Sequence, residues 1–279
     1  MQQTGDIRAI QNRILEIMKY IDGLCRKHGI VYYIMGGTAL GAVRHGGFIP
    51  WDDDLDIFMT PGEYKRFQAA FAQENSPDYV LQEWRTTPDY LEYAKVRRNH
   101  TTFIEENLKH ERQMHHGIYV DIMILHKVPE NRLIQRLVYL KSKYVTFYGL
   151  SQRNWKPKNR MQKAALKVLK LLPNRWLAKR CYRHIYRYDE RSENYCYCYW
   201  ITKANFRQGL FSKEFFNTAV DIKFEDSYLL GPECIQEYLA YRYGDYMKLP
   251  PESERAAAVH AYIADADRDY SEYFSKGSL

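Results

Sequence analysis

No apolar run in this chain of 279 residues approaches the roughly 20 residues that a membrane-spanning helix needs. Nor does the N-terminal MQQTGDIRAIQNRILEI contain an apolar h-region, so no secretory signal is expected. Five cysteines, at positions 25, 181, 196, 198 and 234, are odd in number and make no disulfide framework, which argues for a reducing, cytoplasmic setting. Cys196 and Cys198, in YCYCYW, would share one strand face as buried thiols, with metal or redox chemistry as the alternative. Repeats, low-complexity tracts and long Gly/Ser linkers are absent. A single domain over 1–279 is therefore expected: a core over 1–130, a basic helical insertion over 131–188 and a C-terminal α/β part over 189–279 packed on the core.

One absence is confined to a segment. Between Asn131 and Tyr188 there is no Asp or Glu, against 16 Lys/Arg, while the rest of the chain carries 25 basic and 34 acidic residues. The formal net charge of +7 thus describes a mildly acidic body with a basic segment. With 46% hydrophobic and 27% charged residues the composition is that of a globular protein and excludes a disordered one. The 25 tyrosines suit core packing, base stacking or a quaternary ammonium cage, and composition does not choose among these.

The informative stretch runs from Val31 to Met59. It is preceded by a helix over Asp6–His28, with Ile7, Ile10, Ile14, Ile17, Ile21 and Leu24 on one face and Gly29 as its stop. Val31–Met35 reads as a strand. Gly36, Gly37 and Thr38 then turn the chain into a short helix over Ala39–Arg44, with Thr38 as its cap and the glycine backbone open to an anion. A loop from His45 to Trp51 leads to Asp52, Asp53, Asp54 and Asp56. Strand alternation over this run sends Asp52, Asp54 and Asp56 to one face and Leu55 and Ile57 to the other. Clustered carboxylates repel unless a proton or a cation lies between them, and hard oxygen ligands favour Mg²⁺ or Mn²⁺. A capping box at Thr60–Glu63 opens the next helix, with Tyr64, Phe67, Ala70 and Phe71 on its buried face.

Further strands are expected over Tyr79–Trp84, over Tyr93–Arg97 with Lys95 and Arg97 opposite Val96, and over Gly117–Leu125. The last is apolar except for Asp121, which is either ion-paired in the core or joins the other aspartates at a metal. Past Asn131 the chain reads as basic helices. Met161, Ala164, Ala165, Val168, Leu169 and Leu172 form an apolar stripe, Lys163, Lys167 and Lys170 lie opposite, and Pro173 ends the helix. That segment is a helical hairpin with a solvated basic face, or a surface for anionic lipid or a phosphate-rich glycan. No recognition motif accompanies the charge, so nucleic acid is not expected as a partner. Strands around Tyr197–Ile201 and Asp221–Phe224 and a helix over Pro232–Tyr241 complete the chain.

Gly-Gly-Thr ahead of an Asp-x-Asp strand, with a third aspartate on a later strand, resembles the nucleotidyltransferase (polymerase β-like) fold. That resemblance implies an α+β chain: a mixed sheet core with helices, carrying the basic helical insertion. GGTALGAVRHGGFIPWDDDLDIFM, GIYVDI, then FED, Pro232, EYL, YGDYMKLPP, Arg255 and His260 resemble the LicD family of phosphotransferases, related to fukutin-type proteins. The resemblance covers about Tyr32–Asp121 and Phe224–His260. Where the family continues past the third aspartate with Pro-Leu-Asp, this chain has Ile124-Leu125-His126.

The resemblance implies transfer of phosphocholine, or a related polyol phosphate, from a CDP-activated donor to a hydroxyl of a glycan, in some cases lipid-linked: teichoic acid, lipopolysaccharide or capsule precursor. Asp54, Asp56 and Asp121 would hold the metal. Arg44, Lys95 and Arg97 are candidate phosphate clamps over the Gly36-Gly37 backbone, ordinary surface ion pairs being the alternative. Asp121 or Asp52, and less so His45, are candidate bases for the acceptor hydroxyl. His115 and His116 lack the Cys/His spacing of a zinc site. Two other functions remain open: nucleotidyl transfer with release of pyrophosphate, and a non-catalytic module binding glycan or an anionic membrane through the basic segment.

Overall fold

The computed structural model describes residues 3–4, 6–83, 93–106, 108–151, 160–171, 175–187, 189, 196–198, 209–255 and 260–275. The chain forms two compact units: Met1–Gln82 with Lys95–Met123 and Glu214–Leu279, and Glu83–Ala94 with Ile124–Lys213.

The first unit runs through β1 (Gln3–Thr4), α1 (Ile7–His28), β2 (Tyr33–Ile34), α2 (Gly36–His45), β3 (Asp56–Met59), α3 (Pro61–Glu74), β4 (Tyr79–Gln82), β5 (Ala94–Arg98), β6 (Thr102–Glu105) and β7 (Tyr119–Ile124). The second contributes β8 (His126–Lys127), α4 (Arg132–Ser151), α5 (Arg160–Leu171), α6 (Arg175–Tyr186), β9 (Cys196–Cys198) and β10 (Leu210–Ser212). The first unit resumes with β11 (Ala219–Phe224), β12 (Ser227–Pro232), α7 (Ile235–Tyr243), α8 (Glu252–Arg255), β13 (Ala261–Asp265) and α9 (Tyr270–Ser275).

In the first unit a five-stranded sheet has the order β2-β3-β7-β5-β4, a three-stranded sheet the order β1-β13-β6, and β11 pairs with β12 as a hairpin. Strand β1 is parallel to β13 whereas β13 is antiparallel to β6, so the three-stranded sheet is mixed. Helix α1 keeps the predicted period. Asp6 accepts from the Arg8 N–H at 3.0 Å, Gly29 closes the helix in the left-handed region, and Ile10, Ile14, Ile17, Ile21 and Leu24 are buried. With Ile57, Phe67, Val96, Val120 and Ile122 they make one apolar core, in which truncating a fully buried isoleucine to alanine costs about 2–5 kcal/mol.

The second unit has its own core of Val128, Val138, Val145, Tyr148, Ala178, Cys181, Tyr182 and Ile185, where α4 and α6 meet. Strands β10, β9 and β8 form an antiparallel sheet beside it. Buried His126 is held by Asp189, at 2.9 Å from its Nδ1. Cys25 and Cys181 are buried free thiols. Trp84, Leu172, Pro173, residues 199–201, and the side chains of Met161, Ala165, Leu169, Lys170, Cys196 and Cys198 lie outside the described residues.

Ala164 and Val168, in the apolar stripe of α5, are exposed, as are Lys163 and Lys167. The helical period does not tell a face packed on protein from an apolar face left open.

Candidate active site

The β2-α2-β3 unit positions the acidic residues. Helix α2 begins at Gly36 rather than at Ala39, with extended Met35 before it. Gly36 has φ +58, a conformation an L side chain rarely adopts, and its N–H donates to Tyr238 Oη at 3.0 Å. A Cβ on Gly36 would lie 3.7 Å from Asp56 Oδ2, and one on Gly37 would lie 3.0 Å from Asp52 Oδ2. The glycines therefore let the amino end of α2 come up against the carboxylates. Thr38 is not the cap expected of it. Its hydroxyl lies within α2 and accepts from the Asp56 N–H at 2.9 Å, tying the helix to the start of β3.

The regular strand begins only at Asp56, yet the alternation expected of the acidic run survives. Asp52, Asp54 and Asp56 act on one another through their charges, while Leu55 and Ile57 are buried. Asp121 joins them from β7, whose backbone N–H at that residue donates to Leu55 O at 3.0 Å. Burial raises the pKa of all four carboxyls; that of Asp56 lies well above its ordinary value, with Asp54 and Asp121 adding to it through like charge.

Lys95 is the counter-charge. Its ammonium lies 2.7 Å from Asp121 Oδ1, 3.6 Å from Glu105 Oε1 and 3.3 Å from the centroid of the Tyr119 ring. Asp121 is thus ion-paired in the core, and its carboxyl also feels the charges of Asp54 and Glu105. Lys95 and Arg97 share the strand face opposite Val96 as expected, and that face is covered: Arg97 is 1% exposed and donates to Gln82 Oε1 at 2.6 Å and to Gly117 O at 2.7 Å. Pattern alone assigns a strand face without saying what lies on it.

Asp53 has a separate place. It accepts from the backbone N–H groups of His260 and Ala261, at 2.8 and 3.1 Å, and pairs with His260 Nδ1 at 2.9 Å. That hydrogen bond pushes the His260 imidazole up to about 9, so it is a cation at neutral pH, with Asp54 at 3.6 Å.

A basic corner adjoins Trp51, directly before the acidic run. Arg44 donates to Tyr246 O and Lys248 O at 3.0 and 3.4 Å. Burial lowers its pKa from the ordinary value, and Arg255 adds to this by like charge. Arg255 lies 4.9 Å from the Trp51 ring centroid, and His45 packs edge-on against the same ring. Among the described residues neither arginine pairs with a carboxylate. The His45 imidazole is held below its usual value by burial and by Arg44. Sequence reasoning singled out Arg255 and His260 only through their motif. Their contacts link positions about 200 residues apart, and no local pattern reports them.

His115 is engaged at both ring nitrogens, Nε2 with Asn99 Oδ1 at 2.8 Å and Nδ1 accepting from the Gly117 N–H at 3.0 Å, whereas His116 is engaged through Nε2, with Glu111 O at 2.9 Å. Among the described residues no three His, Cys, Asp or Glu side chains converge as a ready-made metal shell. The donor chemistry of the aspartate cluster nevertheless fits a divalent cation: hard oxygens, partly buried in Asp52, Asp54 and Asp56 and fully in Asp121, whose ionisation needs positive charge close by.

These features define an α/β protein with an acidic site at a strand-to-helix turn. Residues 29–148 match the family model described as LicD/FKTN/FKRP, nucleotidyltransferase domain. The chain is 30% identical over 257 residues to the lipopolysaccharide cholinephosphotransferase LicD of Haemophilus influenzae, an alignment covering 89% of this chain and 94% of that one. It is also 45% identical over 42 residues to the ribitol 5-phosphate transferase FKRP of Homo sapiens, across 15% of this chain and 8% of that one. The chain belongs to the LicD family.

Proposed function

We propose that this protein is a phosphotransferase that moves phosphocholine, or a related polyol phosphate, from a CDP-activated donor to a hydroxyl of a cell-surface glycan precursor. The observation that carries the reading is the mutually interacting set of Asp52, Asp54, Asp56 and Asp121, with Asp52 and Asp56 against the amino end of α2, in a chain alignable with 94% of a cholinephosphotransferase. Mg²⁺ or Mn²⁺ held by Asp54, Asp56 and Asp121 would supply charge neutralisation of the donor diphosphate.

The chain's own residues supply the remainder. Arg44 and Arg255 bear guanidinium groups without carboxylate partners among the described residues, and suit the donor's phosphate oxygens. The His260 cation holds Asp53 and thereby fixes the backbone that carries Asp52 and Asp54. Asp52, its pKa raised by burial and by Asp54, is suited to accept the proton of the acceptor hydroxyl. In the transfer the acceptor oxygen forms a bond to the phosphorus bearing the head group, the bond from that phosphorus to the bridging oxygen breaks, and CMP leaves with the electron pair.

A cytoplasmic setting accords with a CDP-linked donor and with the buried free thiols Cys25 and Cys181. No helix among the described residues is long and apolar enough to cross a membrane. The family model's description favours one other reading, nucleotidyl transfer, in which the chain attaches NMP and releases pyrophosphate.

Incubation with CDP-choline, CDP-ribitol or CDP-glycerol, a glycan acceptor and Mg²⁺ separates the two. Release of CMP with a labelled head group on the glycan is expected. Pyrophosphate released from CTP, with no CMP from any of the three donors, would overturn the phosphotransferase reading.

A further inference from the structure

We infer that α4, α5 and α6 form a surface that docks on an anionic lipid bilayer. The inference stands independently of the transfer chemistry. Helix α4 has two opposed apolar faces. At about 100° per residue, Val138, Ser142 and Val145 lie together and are buried in the core of the second unit. Leu133, Leu137 and Leu140 fall on the opposite side and are 73%, 45% and 64% exposed. Arg132, Arg136 and Lys143 flank that leucine stripe on one side and Lys141 on the other.

The other two helices repeat the combination. Val168 is exposed on α5, as are Lys163 and Lys167. On α6, Trp176 is 61% exposed with the Arg180 guanidinium 5.2 Å from its ring, and Leu177 is 37% exposed. Single exposed apolar side chains are ordinary, but six of them on three helices of one unit are not.

Charge complementarity identifies the occupant. Residues 131–188 hold 16 Lys/Arg and no acidic residue, a pattern that draws the surface toward negative charge of any arrangement. A leucine stripe bordered by arginines and lysines, with a tryptophan able to sit at the headgroup level, is the chemistry of a helix lying in the plane of a membrane interface. A protein partner or a second copy of this chain would have to offer a matching acidic surface.

The test is cosedimentation of the full chain with vesicles of phosphatidylcholine alone or phosphatidylcholine mixed with phosphatidylglycerol, at about 0.1 M salt and above. Wild type is expected to pellet with the anionic vesicles and not with the neutral ones, and to be released as salt rises. The triple variant Leu133→Ser/Leu137→Ser/Leu140→Ser should lose at least about tenfold in binding with an unchanged far-UV spectrum, because these side chains lie outside the core. As a second measurement, brominated lipid should quench tryptophan fluorescence in wild type and much less in Trp176→Phe. Equal pelleting with neutral vesicles, undiminished binding of the triple variant together with undiminished quenching of Trp176→Phe, or a stable wild-type dimer that the triple variant dissociates would each overturn the inference.

Discussion

The Lys95 ammonium lies 2.7 Å from Asp121 Oδ1, and both side chains are almost fully buried. It is the only cation this close to the four carboxyls among the described residues apart from His260, which serves Asp53 and Asp54 instead. Removing it alone leaves a buried carboxyl without a partner, so Lys95→Met should destabilise the fold by about 3–5 kcal/mol, less whatever Asp121 recovers by taking up a proton. Asp121→Asn in the same chain should restore much of that loss. Urea unfolding of the two single variants and the double variant measures the coupling, and additive losses would show that the pair does not act as one.

Asp54→Asn and Asp56→Asn should leave the unliganded fold as stable as wild type or more so. Each removes a charge whose ionisation burial and like-charged neighbours oppose. Transfer should nonetheless fall by about 10²–10⁴-fold, the equivalent of several kcal/mol of lost charge stabilisation. Melting temperature and CMP release on the same preparations separate the two effects. Near-normal turnover with Mg²⁺ would remove Asp54 and Asp56 from the site.

Burial holds the imidazoles of His115 and His116 down to about 4, from an ordinary value of 6.5. The unfolded chain therefore binds more protons between these values. The stability contributed by the neutral rings is complete above pH about 6.5 and is lost as pH falls toward about 4, with a slope of up to about 1.4 kcal/mol per pH unit for each ring. Denaturant titrations through this window should show the decline, and His115→Asn/His116→Gln should flatten it. Glu225 protonates lower in the same direction, so the difference between wild type and variant is the quantity to read.

Glu225 latches the loop that follows α2. It accepts from Arg8 Nη1 and Nη2 at 3.0 and 2.6 Å and from the Phe48 N–H at 3.1 Å, while its own N–H donates to Gly46 O at 2.8 Å. Its carboxylate sits where a Cβ on Gly47 would be. Glu225→Ala should cost about 1–3 kcal/mol through loss of charge-assisted hydrogen bonds, measured by urea unfolding. Gly47→Ala should mimic it in part by pushing the carboxylate away, and an unchanged Gly47→Ala would count against the latch.

The elements that local patterning specifies were legible in the chain itself. The apolar period and Gly29 stop of α1 and the capping box of α3 depend on neighbours a few residues away, and each appears within a residue or two of its expected place, whereas the regular strand of the acidic run begins only at Asp56. The clustering of Asp52, Asp54, Asp56 and Asp121 was likewise readable, because a carboxylate in an apolar strand needs a reason to be there. Tertiary structure alone decided which cations serve them. Lys95 and Arg97 present identical sequence signals on one strand face, yet one neutralises Asp121 and the other is locked onto Gln82 and Gly117. Likewise, Val138 and Leu137 are adjacent apolar residues on one helix, one buried and the other exposed, because burial depends on what packs against a face and not on the period that creates it.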